Sequence, residues 1–525
     1  MNKDNKLKRK NKDSVSLEKV AILTSLVFIG TLVSMILIFF SRLIIARYWD
    51  ESDFGIFSLA FSILSIFTIL SSLGLKQGIT RSIAFSRGKK DFKKINSYIS
   101  TTVIASLVVS LLIGIFIFVF SENISLFFFN EPGLIAPLRV VSISIPFLTI
   151  IEVIISIYRG FEQVKPGIIY HQILLNILFV VFLVLVIILN VSFINVFYAY
   201  LASLIITFIF LANYATQKTT YKQILKIKEL FSSEAKELIL FSLPLLGTAM
   251  LQLIVVWTDI LMLGFLKTSA DVGLYTVSHN VAFFLSFPIS VFMVIYLPIS
   301  SGLYAMKRFD EIKINYLIIT KWICSMATPL FIFFFLFPEP TIEYLYGTNY
   351  VLATDALRIL SLGLIINNFA GPCGATLLSM GKSKFIMYTT LATAVLNIVL
   401  NLILIPIYGI VGAAIASAAS LFITNMIKLL KLYGLSGAQP ISKNLVKPTL
   451  ITLLLILVPY SIFQKTRIVR WEILIFLLVS FYLIYVLVFL VSKSLDKEDL
   501  NLLDMIGTKS SGNIQKIKGF LSRFV

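Results

Sequence analysis

Charged residues are scarce in this chain of 525 residues: Asp, Glu, Lys and Arg make up 14%, against about 25% in soluble domains. Cysteine and histidine are scarcer still, with two of each. Cys324 and Cys373 both lie in apolar segments, which argues against a disulfide framework, and no spacing of Cys and His resembles a metal site. No Ser/His/Asp arrangement can be read in the sequence. We therefore expect neither an enzyme nor a metal site.

Long apolar runs are what the chain has instead. Hydrophobic residues make up 58% of the sequence, and a bilayer-spanning helix needs about 20 mostly apolar residues. The runs predict an all-α polytopic membrane protein with about fourteen transmembrane helices. The predicted spans are 23–46, 54–74, 98–120, 136–157, 168–189, 193–213, 238–265, 271–297, 316–337, 355–379, 384–406, 411–430, 447–463 and 471–492. The first span lacks a small-residue cleavage site, so we expect no cleavable signal peptide.

The positive charge is unevenly distributed, with a net value of +19 at pH 7. Lys and Arg concentrate in every second loop, beginning with residues 76–94, whereas the alternate loops carry acids such as Glu122 and Glu339. In membrane proteins the basic loops are the cytoplasmic ones. The pattern predicts a multi-pass protein of the plasma membrane with both termini in the cytoplasm. It also explains the net charge without a nucleic-acid partner.

Two stretches of the chain repeat each other. The segment from Leu138 to Asn176 matches the segment from Leu357 to Asn397, and their first residues are 219 positions apart. Because each repeat holds six spans, an even number, we predict two six-helix lobes related by a pseudo-two-fold axis along the membrane normal. The predicted boundaries are 1–22 for a basic cytoplasmic N-terminus, 23–214 for the N-lobe, 215–237 for a cytoplasmic connector, 238–433 for the C-lobe, 434–493 for helices 13 and 14, and 494–525 for a cytoplasmic tail.

Several short motifs follow one another along spans 1 to 12. They are ARYWDESDFGIFSLA after span 1, LGLKQGITRSIA after span 2, RGFEQVKPG from Arg159, FSLPLLGTAM from Phe241, WTDILMLGFLKTSADVGLY from Trp257 and LLSMGKSKF from Leu377. Their order resembles the polysaccharide and oligosaccharide-lipid flippase branch of the superfamily that also contains the MATE drug exporters. The resemblance implies two six-helix lobes enclosing a central cavity that opens alternately to either side. It also implies transport of a polyprenyl-linked oligosaccharide from the cytoplasmic to the outer leaflet.

Arg42 and Asp259 lie inside spans 1 and 7, at nearly equivalent positions of the repeat. A charge within a span costs about 2.5–3.5 kcal/mol on insertion scales and therefore needs an explanation. Two interpretations stay open. In one, Arg42 snorkels outward and Asp259 caps local polar groups. In the other, both face the cavity and pair when an outer gate closes, or Arg42 binds a diphosphate through its forked guanidinium.

Three further charged residues within the spans are candidates for function. Arg139 and Arg358 begin spans 4 and 10, where snorkelling anchors are favoured over a cationic cavity mouth. Glu152 lies in the inner part of span 4. It is our candidate for binding a coupling proton or cation, with an ion pair to a cytoplasmic-end Lys or Arg slightly favoured.

Neutral polar residues complete the set of candidates. Asn176 and Asn397 lie in the middle of spans 5 and 11 at equivalent places in the repeat, and a hydrogen bond between helices is favoured there over sugar binding. The alternative cavity-lining residues are Gln252, His279 and Asn280.

The predicted function is that of an alternating-access flippase, with two alternatives. A cation-coupled multidrug antiporter of the same superfamily should have an acidic, aromatic cavity, whereas the spans here carry several arginines. The second alternative is a non-transporting scaffold in cell-envelope synthesis. Expected partners are the lipid-linked oligosaccharide, the bilayer and a polymerase or glycosyltransferase of the same pathway. We expect no cofactor, and coupling to a H⁺ or Na⁺ gradient stays open.

Overall fold

The regular elements of the chain are helices. The computed structural model describes residues 3–218, 227–440, 442–466, 471–496 and 499, and no strand occurs among them. The α-helices are α1 (Lys3–Tyr48), α2 (Glu51–Ser71), α3 (Leu75–Gly88), α4 (Phe92–Val119), α5 (Ile135–Gly160), α6 (Leu175–Ile188), α7 (Ile194–Lys218), α8 (Ser233–Leu266), α9 (Ser269–Ala282), α10 (Phe287–Ala305), α11 (Phe309–Leu336), α12 (Pro338–Tyr346), α13 (Thr354–Phe369), α14 (Cys373–Ser379), α15 (Ser383–Ser436), α16 (Lys443–Thr466) and α17 (Trp471–Val491). Shorter helical turns are Ser121–Asn123, Ile124–Phe128, Pro132–Leu134, Gly167–Leu174, Ile227–Phe231, Phe283–Ser286 and Thr348–Ala353. The predicted all-α class is confirmed.

The long apolar helices are compatible with the predicted number of membrane crossings. Among the described residues, twelve helical segments are long and apolar enough to span a bilayer. One of them, α15, has 54 residues and is interrupted at Gly409, where φ is 57° and ψ is −130°. Since one crossing takes about 20 residues, α15 is long enough for two. Helix α16 adds another apolar segment of 24 residues. The chain is therefore a multi-pass membrane protein, and this arrangement is compatible with fourteen crossings.

The chain divides into two compact units, Met1–Gly273 and Leu274–Val525. In the first unit, buried aliphatic side chains of α3, α4, α5 and α8 form one cluster, which includes Ile95 and Val153. In the second unit, α10, α11, α14 and α15 share a cluster around Tyr316. The lobe boundaries inferred from the repeat stay a prediction.

Helix α3 occupies a stretch that we predicted to be a cytoplasmic loop. Leu75, Ile79 and Ile83 recur every four residues and are fully buried, so they form the apolar stripe of an amphipathic helix. Gly74 precedes the helix with φ of 71°, a left-handed conformation that glycine adopts without steric cost. This helix was not predicted, because charges on its opposite face lower the average hydropathy of the segment, which is not one of the membrane spans.

Two glycines at equivalent places in the repeat mark a close contact between α2 and α9. A Cβ on Gly55 would overlap the carbonyl oxygen of Ser269, and one on Gly273 would overlap the carbonyl oxygen of Glu51. The hydroxyls of Ser52 and Ser269 are hydrogen-bonded at 2.7 Å. The first turns of both helices thus pack backbone to backbone at the end that the charge pattern places outside.

The predicted connector at 215–237 is described in part. Ile227–Phe231 forms a 3-10 turn, and α8 follows with Ser232 as its cap, whose Oγ accepts a hydrogen bond from the amide of Ala235 at 3.1 Å. Residues 219–226, and all of the tail after 496 apart from Asp499, lie outside the described residues.

Candidate functional site

A cavity of about 500 Å³ lies in the first unit between α3, the second half of α5 and the helical turn before α6. We call it the cationic cavity. It is lined by Lys76, Gln77, Thr80, Arg81, Ala84, Glu152, Ile155, Ser156, Arg159 and His171. Three of these side chains are cations and one is an acid, so with His171 neutral the lining carries a net charge of +2.

Lys76 and Glu152 form an ion pair inside this cavity. The distance from Nζ to Oε2 is 2.6 Å, and the side chains are 18% and 25% exposed. The contact matches the slightly favoured interpretation of Glu152, in which it pairs with a basic residue of the cytoplasmic end. Its role as a coupling-ion site stays a proposal.

Helices α3 and α5 approach closely beside the cavity. Thr80 Oγ1 lies 2.9 Å from each of two carbonyl oxygens that accept its hydrogen bond. One belongs to Lys76 in its own helix and the other to Ser156 in α5. Gly160 permits the approach, since a Cβ there would stand 2.8 Å from the Cβ of Ile83. These contacts hold α3 against the C-terminal end of α5 on the side of α3 that carries Lys76.

Arg81 is oriented by an aromatic ring from α8. Its guanidinium carbon lies 4.2 Å from the centroid of the Phe241 ring, within the range of a cation–π interaction. Nearby, Gly78 faces Ser242, which lets α3 and α8 pack closely. The motif at the start of span 7 therefore contacts the motif after span 2 beside this cavity, without lining it.

The arrangement can bind an anion. Arg81 and Arg159 are exposed, and among the described residues no carboxylate pairs with either of them. A guanidinium presents donors in a fork that fits two oxygens of a phosphate. The volume lies within the range of about 300–1,000 Å³ that is usual for ligand pockets. Two arginines therefore converge on a space of ligand size.

Arg42 and Asp259 do not line the cationic cavity. Arg42 is half-buried on α1, and Asp259 is buried on α8. Each of the two residues takes part in at least one polar or electrostatic interaction. Their pairing at an outer gate stays a prediction.

Arg139 and Arg358 have different surroundings despite their equivalence in the repeat. Arg139 is exposed, and its Nε donates to Ser121 Oγ at 3.1 Å. Arg358 is half-buried, and its Nη1 donates to Asp355 Oδ1 at 2.9 Å. Neither residue lines the cationic cavity.

Asn176 and Asn397 both bond to serine hydroxyls. Asn176 Nδ2 donates to Ser34 Oγ of α1 at 3.2 Å. Asn397 Nδ2 lies 3.4 Å from Ser417 Oγ and 3.5 Å from Ser420 Oγ, which belong to the part of α15 beyond Gly409. This is the favoured interpretation, hydrogen bonding between helical segments.

The remaining candidates are spread over two helices. Gln252 is exposed on α8. In α9, His279 is half-buried between the rings of Tyr275 and Phe283, with centroid distances of 6.2 and 6.1 Å, and Asn280 is buried. None of the three lines the cationic cavity.

Lys76, Arg81 and Arg159 were not predicted as site residues, because the positive charge of a loop indicates only its membrane face. A signal was present: Lys76 and Arg81 belong to the motif LGLKQGITRSIA, and Arg159 begins the motif RGFEQVKPG. Both motifs follow even-numbered spans, so they end at the same membrane face. Two basic motifs at one face could have been predicted to meet.

Comparison with known sequences identifies relatives along most of the chain. The sequence model of a family described as "Polysaccharide biosynthesis protein" matches residues 18–303, and that of "MatE" matches residues 244–403. An uncharacterised membrane protein of Methanocaldococcus jannaschii is 23% identical over 425 residues, which cover 77% of this chain and 82% of that protein. The probable low-salt glycan biosynthesis flippase Agl15 of Haloferax volcanii is 26% identical over 174 residues, or 33% of this chain and 36% of that protein.

Solved structures share the fold. The lipid II flippase MurJ, in an inward closed conformation, superposes with a TM-score of 0.69 at 18% identity, covering 90% of this chain and 99% of that one. A multidrug resistance MATE family transporter of the MOP superfamily, in an inward-facing conformation, gives a TM-score of 0.68 at 17% identity, with coverages of 78% and 95%. Agl15 is described as a probable flippase, MurJ as a flippase and the MATE family protein as a transporter, and none of the three is described as an enzyme. These descriptions agree with the expectation that the chain is not an enzyme.

Proposed function

Because the chain belongs to the polysaccharide biosynthesis protein family, within the superfamily that contains the MATE exporters, we propose that it is an alternating-access flippase for a polyprenyl-diphosphate-linked oligosaccharide. The direction is from the cytoplasmic to the outer leaflet. The observation that carries the proposal is the cationic cavity, with its net charge of +2. A diphosphate diester carries two negative charges and would balance it.

Arg81 and Arg159 are the proposed diphosphate ligands. They reach the cavity from different helices, α3 and α5, so each can bind one phosphate with its fork. The Lys76–Glu152 pair lies beside them at 2.6 Å. An arriving phosphate competes with Glu152 for Lys76, and this exchange offers a way to couple binding to a proton or Na⁺ at Glu152.

A carrier is needed because the headgroup is polar and the membrane is not. Sugars and phosphates lose their hydration on entering hydrocarbon about 30 Å thick, which is prohibitively costly without compensating bonds. The prenyl tail is apolar and can stay in lipid while the headgroup moves. Helices α2 and α9, which are in close contact at Gly55 and Gly273, would have to separate when the protein opens toward the outer leaflet.

The setting of this function is proposed from the charge pattern. With both termini in the cytoplasm of a plasma-membrane protein, the cationic cavity lies toward the cytoplasmic side, where lipid-linked glycans are assembled. A polymerase or glycosyltransferase of the same pathway would use or supply the substrate.

A cation-coupled multidrug antiporter is the second candidate. It is favoured by the match of residues 244–403 to the MatE family. The three cations of the cavity oppose it, because a cationic drug would be repelled there.

Equilibrium binding of a polyprenyl-diphosphate-linked oligosaccharide to the purified full-length protein tests the proposal. Arg81→Gln and Arg159→Gln should each raise Kd by roughly 10- to 150-fold, since a hydrogen bond to a charged group contributes about 1.5–3 kcal/mol. Arg87→Gln is the matched control, because Arg87 lies on the same helix, pairs with Glu162 at 3.7 Å and does not line the cavity. Unchanged affinity in both cavity variants would refute the assignment, and preferential binding of a cationic drug would favour the antiporter.

A further inference from the structure

An apolar groove lies on the first unit where α4, α5 and α7 meet. Its volume is about 500 Å³. The side chains that form its walls are Leu107, Leu111, Ile115 and Phe118 of α4, Ile143 of α5 and Phe208 of α7. Among the residues that the structure describes, no charged side chain lines the groove, in contrast to the cationic cavity of equal size.

Backbone forms part of the floor of this groove. Gly114 of α4 lies against α5, since a Cβ there would stand 2.8 Å from the carbonyl oxygen of Ser142. Pro146, inside α5, has no N–H and cannot supply the helical hydrogen bond to that oxygen. Glycine and proline together therefore permit a close crossing of α4 and α5 beneath the apolar walls.

The groove faces lipid and has the length of one leaflet. Ile115 is 61% exposed, and Phe118 and Ile143 are each 46% exposed. On a membrane-spanning helix such positions contact hydrocarbon. A helix rises ~16 Å from Leu107 to Phe118, about half of the ~30 Å hydrocarbon thickness. One lipid chain of one leaflet fits this length, and the predicted orientation makes it the outer leaflet.

Arg139 stands at the interfacial end of the groove. Its guanidinium carbon is 6.0 Å from the ring centroid of Phe118, and its Nε donates to Ser121 Oγ at 3.1 Å. Within the described ranges, no carboxylate pairs with Arg139. Its terminal nitrogens thus offer donors to an anionic ligand beside an apolar wall.

The repeat provides an internal comparison for this arginine. Arg358, at the equivalent position, is neutralised by Asp355 three residues earlier, at 2.9 Å. Three residues before Arg139 the chain has Ala136 instead. The first unit therefore carries an uncompensated cation where the second carries an ion pair, and the uncompensated cation adjoins the groove.

We propose that the groove binds one chain of an anionic phospholipid of the bilayer and that Arg139 holds its phosphate. A guanidinium binds one phosphate through two oxygens, which suits the headgroup of an anionic phospholipid. The single cation and the one-leaflet length favour a bilayer phospholipid over the diphosphate carrier of the substrate. This site is separate from the cationic cavity and does not depend on the transported substrate.

Native mass spectrometry of the purified full-length protein, mixed with phosphatidylglycerol or phosphatidylcholine, tests the proposal. The wild type should bind phosphatidylglycerol about tenfold more tightly, because the choline cation of phosphatidylcholine offsets the phosphate charge and weakens its contact with Arg139. Arg139→Gln should remove that preference, Arg139→Lys should retain part of it, and Arg358→Gln should leave it unchanged. Leu111→Trp, which fills the groove, should weaken binding of both lipids.

Three results would overturn the proposal. In the first, Arg139→Gln binds phosphatidylglycerol as the wild type does. In the second, Arg139→Gln and Arg358→Gln lower binding equally, which would indicate a general effect of charge. In the third, undecaprenyl phosphate displaces phosphatidylglycerol at a tenth of its concentration, and the occupant is then the prenyl carrier. Because Arg139 is exposed, a folded variant is expected, and size-exclusion chromatography verifies it.

Discussion

Each unit contains a lysine paired with carboxylates, and the two sites differ in burial and in charge balance. In the first unit, Lys76 and Glu152 are about one fifth exposed and line a cavity with two further cations. In the second unit, Lys321 of α11 is bound by Asp496 and Asp499, and Lys321 and Asp499 are almost completely buried.

The second site anchors the segment that follows α17. Asp499 also accepts a hydrogen bond from Trp322 Nε1 at 3.1 Å, and Asp496 accepts one from Asn444 Nδ2 at 2.6 Å. The cluster thereby ties α11, the start of α16 and the segment after α17 together. A closed site with more acids than cations stabilises the protein, whereas an open site with more cations than acids can receive an anion.

The largest expected effect comes from breaking the buried cluster. Lys321→Met leaves Asp499 charged without its cation, and the free energy of unfolding should fall by about 3–5 kcal/mol. Thermal unfolding in detergent measures the loss. Arg308→Gln is the control, because its pair with Glu311 is exposed on both sides and should contribute less than about 1 kcal/mol. Equal stability of Lys321→Met and wild type would refute the anchoring role.

Charge-swap variants of Arg42 and Asp259 test whether these two residues form an ion pair in the first unit. Arg42→Asp and Asp259→Arg should each place two like charges within the spans and cost about 2.5–3.5 kcal/mol per unpaired charge. The double variant should regain most of the lost folded protein and transport. Fluorescence-detected size exclusion and the leaflet assay described below measure both. A double variant no better than the single changes would remove the pairing hypothesis.

Loss of a cavity arginine should affect transport and leave stability alone. In Arg81→Gln the exposed guanidinium and its contact with Phe241 at 4.2 Å are lost, so the free energy of unfolding should change by less than about 1 kcal/mol. The transport rate should fall by roughly tenfold or more, as one charge-assisted hydrogen bond implies. A stability loss as large as that of Lys321→Met would make the cavity a structural feature.

Removing the acid of the cavity should strengthen anion binding, whereas removing an arginine should weaken it. Glu152→Gln raises the net charge of the lining from +2 to +3 and leaves Lys76 near water, so the cost in stability should be about 1 kcal/mol. Binding of inorganic diphosphate, measured by calorimetry, should become tighter. Glu162→Gln, which removes the acid of an exposed pair outside the cavity, should leave it unchanged, and weaker binding in Glu152→Gln would contradict the proposed competition for Lys76.

The smallest effect is expected at the asparagine between helices. Asn176→Ala removes the hydrogen bond to Ser34 on α1, and such bonds average about 0.6 kcal/mol in membrane proteins. Thermal unfolding should register a slight decrease with transport retained. Complete loss of transport with a stable fold would instead assign Asn176 to the substrate path.

The features that the sequence predicted correctly depend on local composition. The α4 span was predicted at 98–120 and overlaps the helix Phe92–Val119 at all but its last residue, because crossing a bilayer requires a long apolar run. The interhelical bonds of Asn176 and Asn397 were also predicted, because an amide in a membrane helix seeks a polar partner.

The features that it missed depend on three-dimensional contacts. Helix α3 was overlooked because its apolar stripe of Leu75, Ile79 and Ile83 covers one face only. The cationic cavity was overlooked because Arg81 and Arg159 are 78 positions apart in the sequence and become neighbours through the packing of α3 on α5. The total charge of each loop predicts the orientation of the chain in the membrane, but it does not predict which basic residues form a binding site.

The most direct test is the leaflet distribution of the lipid-linked glycan in cells that lack the gene. An impermeant glycan-modifying reagent, applied to intact cells and to inverted vesicles, reports each leaflet. The account predicts accumulation in the cytoplasmic leaflet, relieved by the wild-type gene and by Arg87→Gln but not by Arg81→Gln or Arg159→Gln. An unchanged distribution in the deletion strain, with no second transporter of this class present, would contradict the flippase assignment.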